Sequence, residues 1–164
     1  MSELRQYLIN LLDKGVRFDG RKATEYRKVA VEYGISETAD GSARVKIGET
    51  EVLAGVKMEI GKPYPDTPED GNLMVGAELS PMSSPDFESG PPSAKAVELA
   101  RVVDRGIRES KAVDTKLLCI ARGEKVWTIA IDLNTVNADG NLIDSCALAA
   151  LAAVVMTWVA GKQG

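Results

Sequence analysis

The spacing of apolar residues changes twice near the start of the chain, and each change predicts an element. Leu4, Leu8, Leu11 and Leu12 recur at helical spacing, with Ser2 placed as an N-cap and Gly15 just beyond the last turn. This predicts an amphipathic helix within residues 1–15 that docks on the body through its leucine face. Arg17-Phe18-Asp19-Gly20-Arg21 then reads as a turn, because Asp-Gly readily supplies the positive φ that tight turns need. Strands are expected at 26–33, 42–47 and 51–60, separated by Asp40-Gly41 and Gly48-Glu49 as turns. In the second, Ala43, Val45 and Ile47 alternate with Arg44 and Lys46. In the third, Val52, Ala54, Val56, Met58 and Ile60 keep the period of a half-buried antiparallel meander.

Three prolines and several acids make 61–71 a loop, after which Leu73, Val75, Ala77 and Leu79 resume alternation over 72–80. A second irregular stretch precedes Ser93, which is placed to cap a helix over 93–110 with Val97, Leu99, Ala100, Val103 and Ile107 as its apolar stripe. Strands at 117–121 and 126–133 flank the turn Arg122-Gly123-Glu124-Lys125, and Asp144 or Ser145 is expected to cap a final helix. That helix is apolar on all faces, from Cys146 to Ala160. It is shorter than the roughly 20 residues that cross a bilayer and rich in alanine, so a buried helix is expected and not a membrane span. A helix apolar all round needs cover all round, yet the sequence stops four residues later, which reads as truncation. Strands in runs with helices interposed singly predict an α+β fold with a mixed sheet.

Composition narrows the chemistry. At 164 residues the chain is long enough for one domain with a core, or one domain plus a fragment of the next. A net charge of -4 denies it a globally basic surface, so any nucleic-acid contact must come from a local patch or from partner chains. There is no histidine, and Cys119 and Cys146 lie far apart. Imidazole and thiolate metal sites therefore have no ligand set, and Ser-His or Cys-His dyads are excluded. No metal and no cofactor are expected. The opening MSELRQYLIN has no basic region followed by a long apolar stretch, so a cytoplasmic, reduced protein is expected.

The feature with most physical content is Arg101, Arg105 and Arg108, at i, i+4 and i+7 on the long helix. They project from one side as a basic ridge, and arginine forks can follow a phosphate backbone without reading bases. The alternative is that they pair with Glu98, Asp104 and Glu109 of the same helix or with acids on a partner. Asn137-Ala138-Asp139-Gly140-Asn141 joins a strand to a helix, where backbone N–H groups can face an anion. Leu142, Ile143 and Asp144 supply no cation there, so a structural turn is the better reading. The acids of the 65–70 loop match no known ligand spacing and read as solvated. Gly41 and Gly48 read as turn glycines.

Taken in order, RFDGR at 17–21, ADGSARVKIGETEVLAGV at 39–56, ELARVVDRGIRES at 98–110 and NADGN at 137–141 resemble the RNase PH family over nearly the whole chain. Within it, the segments look most like the archaeal exosome ring subunits that lack catalytic residues. Active members carry an arginine pair near the start of the long helix, where this chain has Ala94-Lys95. They also follow the Asp-Gly turn with a Gly-Ser/Thr-Arg phosphate-binding segment, where this chain reads Asn141-Leu142-Ile143. The resemblance thus implies an N-terminal RNase PH-like domain over 1–164, ending before the second half of the family fold, with a degenerate phosphate site. It also implies a non-catalytic role in an alternating hetero-hexameric ring with an active RNase PH-like subunit, with RNA and RNA-binding cap subunits as further partners and no membrane. Arg101 and Arg105, with Arg108, would line the RNA path. The competing readings are an active phosphorolytic 3′–5′ exoribonuclease, using Lys95 and the ridge for phosphate, and a purely structural ring component.

Overall fold

The computed structural model describes residues 3–160. Their order is α1 (Glu3–Asp13), β1 (Val29–Tyr33), β2 (Gly41–Ile47), β3 (Thr50–Gly61), β4 (Asn72–Glu78), α2 (Ala94–Glu109), β5 (Cys119–Ala121), β6 (Lys125–Asn137) and α3 (Leu142–Ala160). The strands form one sheet in the order β1-β2-β3-β6-β4, with β5 hairpinned onto β6. Only β4 runs parallel to its neighbour β6; every other pair is antiparallel. This is an α+β fold with a mixed, largely antiparallel sheet packed against helices.

Alternation places the core. Ala43, Val45 and Ile47 of β2, Val52, Ala54 and Val56 of β3, and Ile129, Ile131 and Leu133 of β6 are all buried. They face α3, which lies over β2 and β3, and α2, which packs on β4 and α3. The opposite sheet face carries charge, with Glu51 held by Arg44 at 3.3 Å and by Lys46 at 3.0 Å. Cross-strand pairs of opposite charge favour this register over a one-residue slip, which would also turn the valines outward.

Several expectations are corrected. The leucine face of α1 is not docked: the helix buries no residue, and Leu4 and Leu12 are each 62% exposed. Its last turn is tied to the segment that follows, by Gly15 N to Leu12 O and Val16 N to Leu11 O. Ser2, its expected cap, lies outside the described residues. β1 begins at Val29 and not at residue 26, because Tyr26 and Arg27 turn their side chains to the 139–144 segment. Ile60 is exposed, since β3 extends past the helices that cover Val52 to Val56. In α2 the inward position is Ala96 and not Val97, giving the spacing 96, 99/100, 103, 107. Leu117 and Leu118, expected to begin a strand, instead end a 3-10 turn over Thr115–Leu118, which the Asp114 carboxylate starts by accepting from Lys116 N at 3.0 Å. β6 runs on to Asn137. Asp144 and Ser145 lie in the first turn of α3 and do not cap it; the Ser145 hydroxyl donates to Asn141 O at 3.0 Å. Ser93 does cap α2, accepting from Ala96 N at 3.2 Å.

Gly41 is also corrected. It is not a turn glycine but a strand residue over which α3 passes at close range. A Cβ there would fall 2.8 Å from Thr157 N and closer still to Ala153 O. The alanines at 149, 150 and 153, all fully buried, give α3 the narrow profile that this approach needs. Gly41→Ala is therefore expected to destabilise by about 1–3 kcal/mol in chemical denaturation, through overpacking against helix backbone. Gly55→Ala, on the same sheet where an added Cβ meets open space, is expected to change stability by less than about 0.5 kcal/mol.

Cys146 sits in the first turns of α3 with no exposure, and burial pushes its thiol up to about 12 from an ordinary 9.0. The unfolded chain releases this proton above pH 9 while the folded chain keeps it. Stability from this group is thus complete below pH 9 and is lost between pH 9 and 12. Against Cys146→Ala, the parent chain is expected to lose up to about 1.4 kcal/mol more per pH unit in that window.

Candidate nucleic-acid interface

The site is built on α2 because a regular helix puts residues of one face in line. Arg101 and Arg105 are one turn apart, about 6 Å along the axis, and both are exposed. They stand on the rim of a cleft of about 520 Å³ between α2 and β4, floored by Val75, Gly76, Ala77, Ala96 and Ala100. Neither guanidinium makes an ion pair or hydrogen bond among the described residues.

Arg108 differs. Its Nε and Nη2 both donate to the Asp104 carboxylate at 3.0 Å, and Nη2 also donates to Leu73 O of β4 at 2.7 Å. The hydrogen bonds it donates to Asp104 hold its guanidinium above the ordinary arginine range, against partial burial. Of the three arginines, two present free forks to solvent and the third is engaged within the fold. The pairing weighed from sequence as an alternative thus holds for Arg108 with Asp104; the contact to Leu73 O had no signal in the spacing.

The residues compared with the phosphate site also meet. Lys95, Asn141, Leu142 and Ile143 line one cleft of about 300 Å³ with Glu98, Leu99 and Gly140, whereas Ala94 lies outside it. Among the described residues its one cation is Lys95, whose Nζ lies 5.0 Å from the Phe87 ring centroid, with the acid Glu98 in the same lining. The Asn141 amide is occupied, donating to Asp144 Oδ2 at 2.9 Å and to Tyr26 Oη at 3.1 Å. Ile143, half exposed, presents hydrocarbon. An ammonium, a carboxylate and an apolar wall are poor chemistry for a doubly charged anion.

The turn behind this cleft is fixed from below. Arg27 donates to Asp139 O at 2.7 Å and Gly140 O at 3.1 Å, and the buried Thr50 hydroxyl donates to Gly140 O at 2.7 Å while accepting from Asp139 N at 3.0 Å. Gly140 and Asn141 are both left-handed, at φ 78° and 55°. Nothing in the alternation of 26–33 pointed to Tyr26 and Arg27. The RFDGR segment closes on itself in the same region. Arg21 bonds Asp19 at 2.7 Å, which lowers the Asp19 carboxyl below its ordinary range, and Arg17 donates to Ala23 O at 2.7 Å. Among the described residues no cluster of His, Cys, Asp or Glu is placed to hold a metal ion, and no helix is long and apolar enough to cross a membrane.

A mixed sheet with two helices on one face, an arginine ridge on one of them and an Asp-Gly turn leading into the other defines an RNase PH-like domain. The chain belongs to the RNase PH family: residues 25–159 match the 3′ exoribonuclease family, domain 1. It is 52% identical over 159 residues to the exosome complex component Rrp42 of Methanocella arvoryzae, covering 97% of this chain and 61% of that protein. It is equally 52% identical to Rrp42 of Archaeoglobus fulgidus, over the same shares. The chain thus spans about 60% of the length of these curated relatives. Among solved structures it resembles a chain of the Archaeoglobus fulgidus exosome with RNA bound to the active site, at a TM-score of 0.87 and 53% identity over 92% of this chain and 59% of that one. An archaeal exosome core gives 0.79 and 48%, over 92% and 56%. Rice Rrp46, at 0.67 and 24% over 87% and 61%, shares the fold.

Replacing Arg27 by Met is expected to cost about 1–3 kcal/mol in stability, by leaving the Asp139 and Gly140 carbonyls without their charged donor. Thermal denaturation with and without Thr50→Val checks this, since the two donors share Gly140 O and their effects are expected to be non-additive.

Proposed function

We propose that the chain is a non-catalytic subunit of a cytoplasmic exosome ring, supporting phosphorolytic 3′–5′ RNA degradation by an active RNase PH-like partner. It scaffolds that partner in an alternating hetero-hexamer and contributes arginines to the RNA path, with RNA-binding cap subunits above the ring. The observation that carries the reading is the contrast between two anion sites of the same domain. The ridge at Arg101 and Arg105 offers guanidinium forks that are unpaired among the described residues, while the cleft at Lys95 and 140–143 offers phosphate one ammonium with the acid Glu98 in the same lining. A backbone-tracking role needs the first and not the second.

Degradation of RNA in added phosphate, by the full-length subunit alone, its active partner alone and the two together, tests the catalytic half. The expected outcome is no nucleoside diphosphate from this subunit and stimulation of the partner; release by this subunit alone would point to a phosphate site at Lys95 and overturn the reading. For the RNA half, Arg101→Ala with Arg105→Ala in the assembled ring is expected to weaken RNA binding. It should also flatten the salt dependence by about 0.7 in log–log slope for each phosphate that is no longer neutralised. The ring stays assembled. Loss of assembly with unchanged RNA affinity would favour the purely structural role.

A further inference from the structure

Asp104 is an acid set inside the arginine ridge, and what happens to its charge decides what the ridge can bind. It lies three residues after Arg101 and directly before Arg105, and it lines the same cleft as both. Residues three apart on a helix are neighbours, about 5–6 Å between Cβ atoms, so the natural partner of an unclaimed Asp104 carboxylate is the Arg101 guanidinium. In the structure that pairing does not form. Arg108 takes both carboxylate oxygens, at 3.0 Å each, from one turn further along the helix. Its Nη2 is anchored at the same time to Leu73 O at 2.7 Å, so the fork is held against β4 and points toward Asp104 rather than out along the ridge. The Asp104 side chain is 25% exposed and that of Arg108 44%, so the acid is the more sheltered partner of the pair.

We infer that Arg108 is a positioning residue for RNA binding: it sequesters and neutralises Asp104, keeping Arg101 and Arg105 free for phosphate, and does not itself contact RNA. The inference rests on the proposed RNA-binding role of the ridge. A bidentate pair is the geometry that satisfies a carboxylate most completely with one side chain. It places a donor on each oxygen, which weakens the pull of Asp104 on Arg101, and offsets one negative charge in the path of a polyanion. Removing Arg108 releases that charge into the cleft, and removing both partners restores the charge balance of the ridge.

The test measures binding of a fluorescently labelled oligoadenylate to the ring assembled with the active partner, by anisotropy across a salt series. Arg108→Ala is expected to weaken binding about two- to fivefold, the range of an exposed ion pair. Adding Asp104→Asn to it is expected to return affinity to the parent level with the parent salt slope. Adding Glu37→Gln instead changes net charge equally, at an exposed acid outside α2, and is expected not to restore binding. Arg108→Met, which keeps the aliphatic stem over β4, is measured beside Arg108→Ala, with a thermal melt of each variant. If R108A/D104N stays as weak as R108A with a slope reduced by about 0.7, Arg108 contacts phosphate directly and the inference is wrong. An R108A ring that binds like the parent overturns it as well. Arg101→Ala with Arg105→Ala separates the two levels. If that variant binds normally, the RNA-binding reading itself fails; if it binds weakly while D104N does not rescue R108A, only the role of Arg108 fails.

Discussion

The close approach of α3 to β2 sets the geometry of everything above the sheet. An alanine-rich helix can lie on a strand at backbone range only where the strand carries no Cβ, and Gly41 is that point. Ala149, Ala150 and Ala153 complete the seat, and α2 packs against both α3 and β4. The 137–141 turn, held by Arg27 and Thr50, leads into the start of α3, and the position of α2 fixes the arginine ridge. Interiors pack too densely for such a contact to relax without moving its neighbours. A larger residue at position 41 would therefore displace both clefts together.

The two clefts differ in the side chains that line them. Each is a cleft beside α2, one bordered by β4 and the other by the start of α3. In the first, the acid among the arginines is taken up by Arg108, and two forks remain. In the second, the one cation shares its cleft with an acid, and the amide of Asn141 is committed to Tyr26 and Asp144. The left-handed turn at Gly140 and Asn141 persists, held by Arg27 and Thr50.

How much of this was legible in the sequence follows from the range of each interaction. The alternation in β2, β3 and β6 and the helical stripe of α2 are local, and the elements they predicted are present. The Ser93 cap was equally readable, since its partner is three residues away. What escaped depends on contacts distant in sequence. β1 starts late because Tyr26 and Arg27 reach across more than 110 residues. Gly41 carried an Asp-Gly turn signature while its real constraint lies on α3. The leucine stripe of α1 implied a docked face, but periodicity reports only that a helix is amphipathic and not what, within this chain, covers it. At the site, the alignment of Arg101 and Arg105 followed from spacing, whereas the anchoring of Arg108 required the carbonyl of Leu73.

The central claim is that RNA runs along the α2 ridge and not into the cleft before α3. Photo-crosslinking of 4-thiouridine RNA to the assembled ring, with the attachment sites mapped by mass spectrometry, tests it most directly. The account predicts crosslinks on α2 around Val97, Arg101 and Arg105, and none on Lys95 or residues 140–143. Crosslinks concentrated at Lys95 and 140–143, with α2 unlabelled at Arg101 and Arg105, would contradict it.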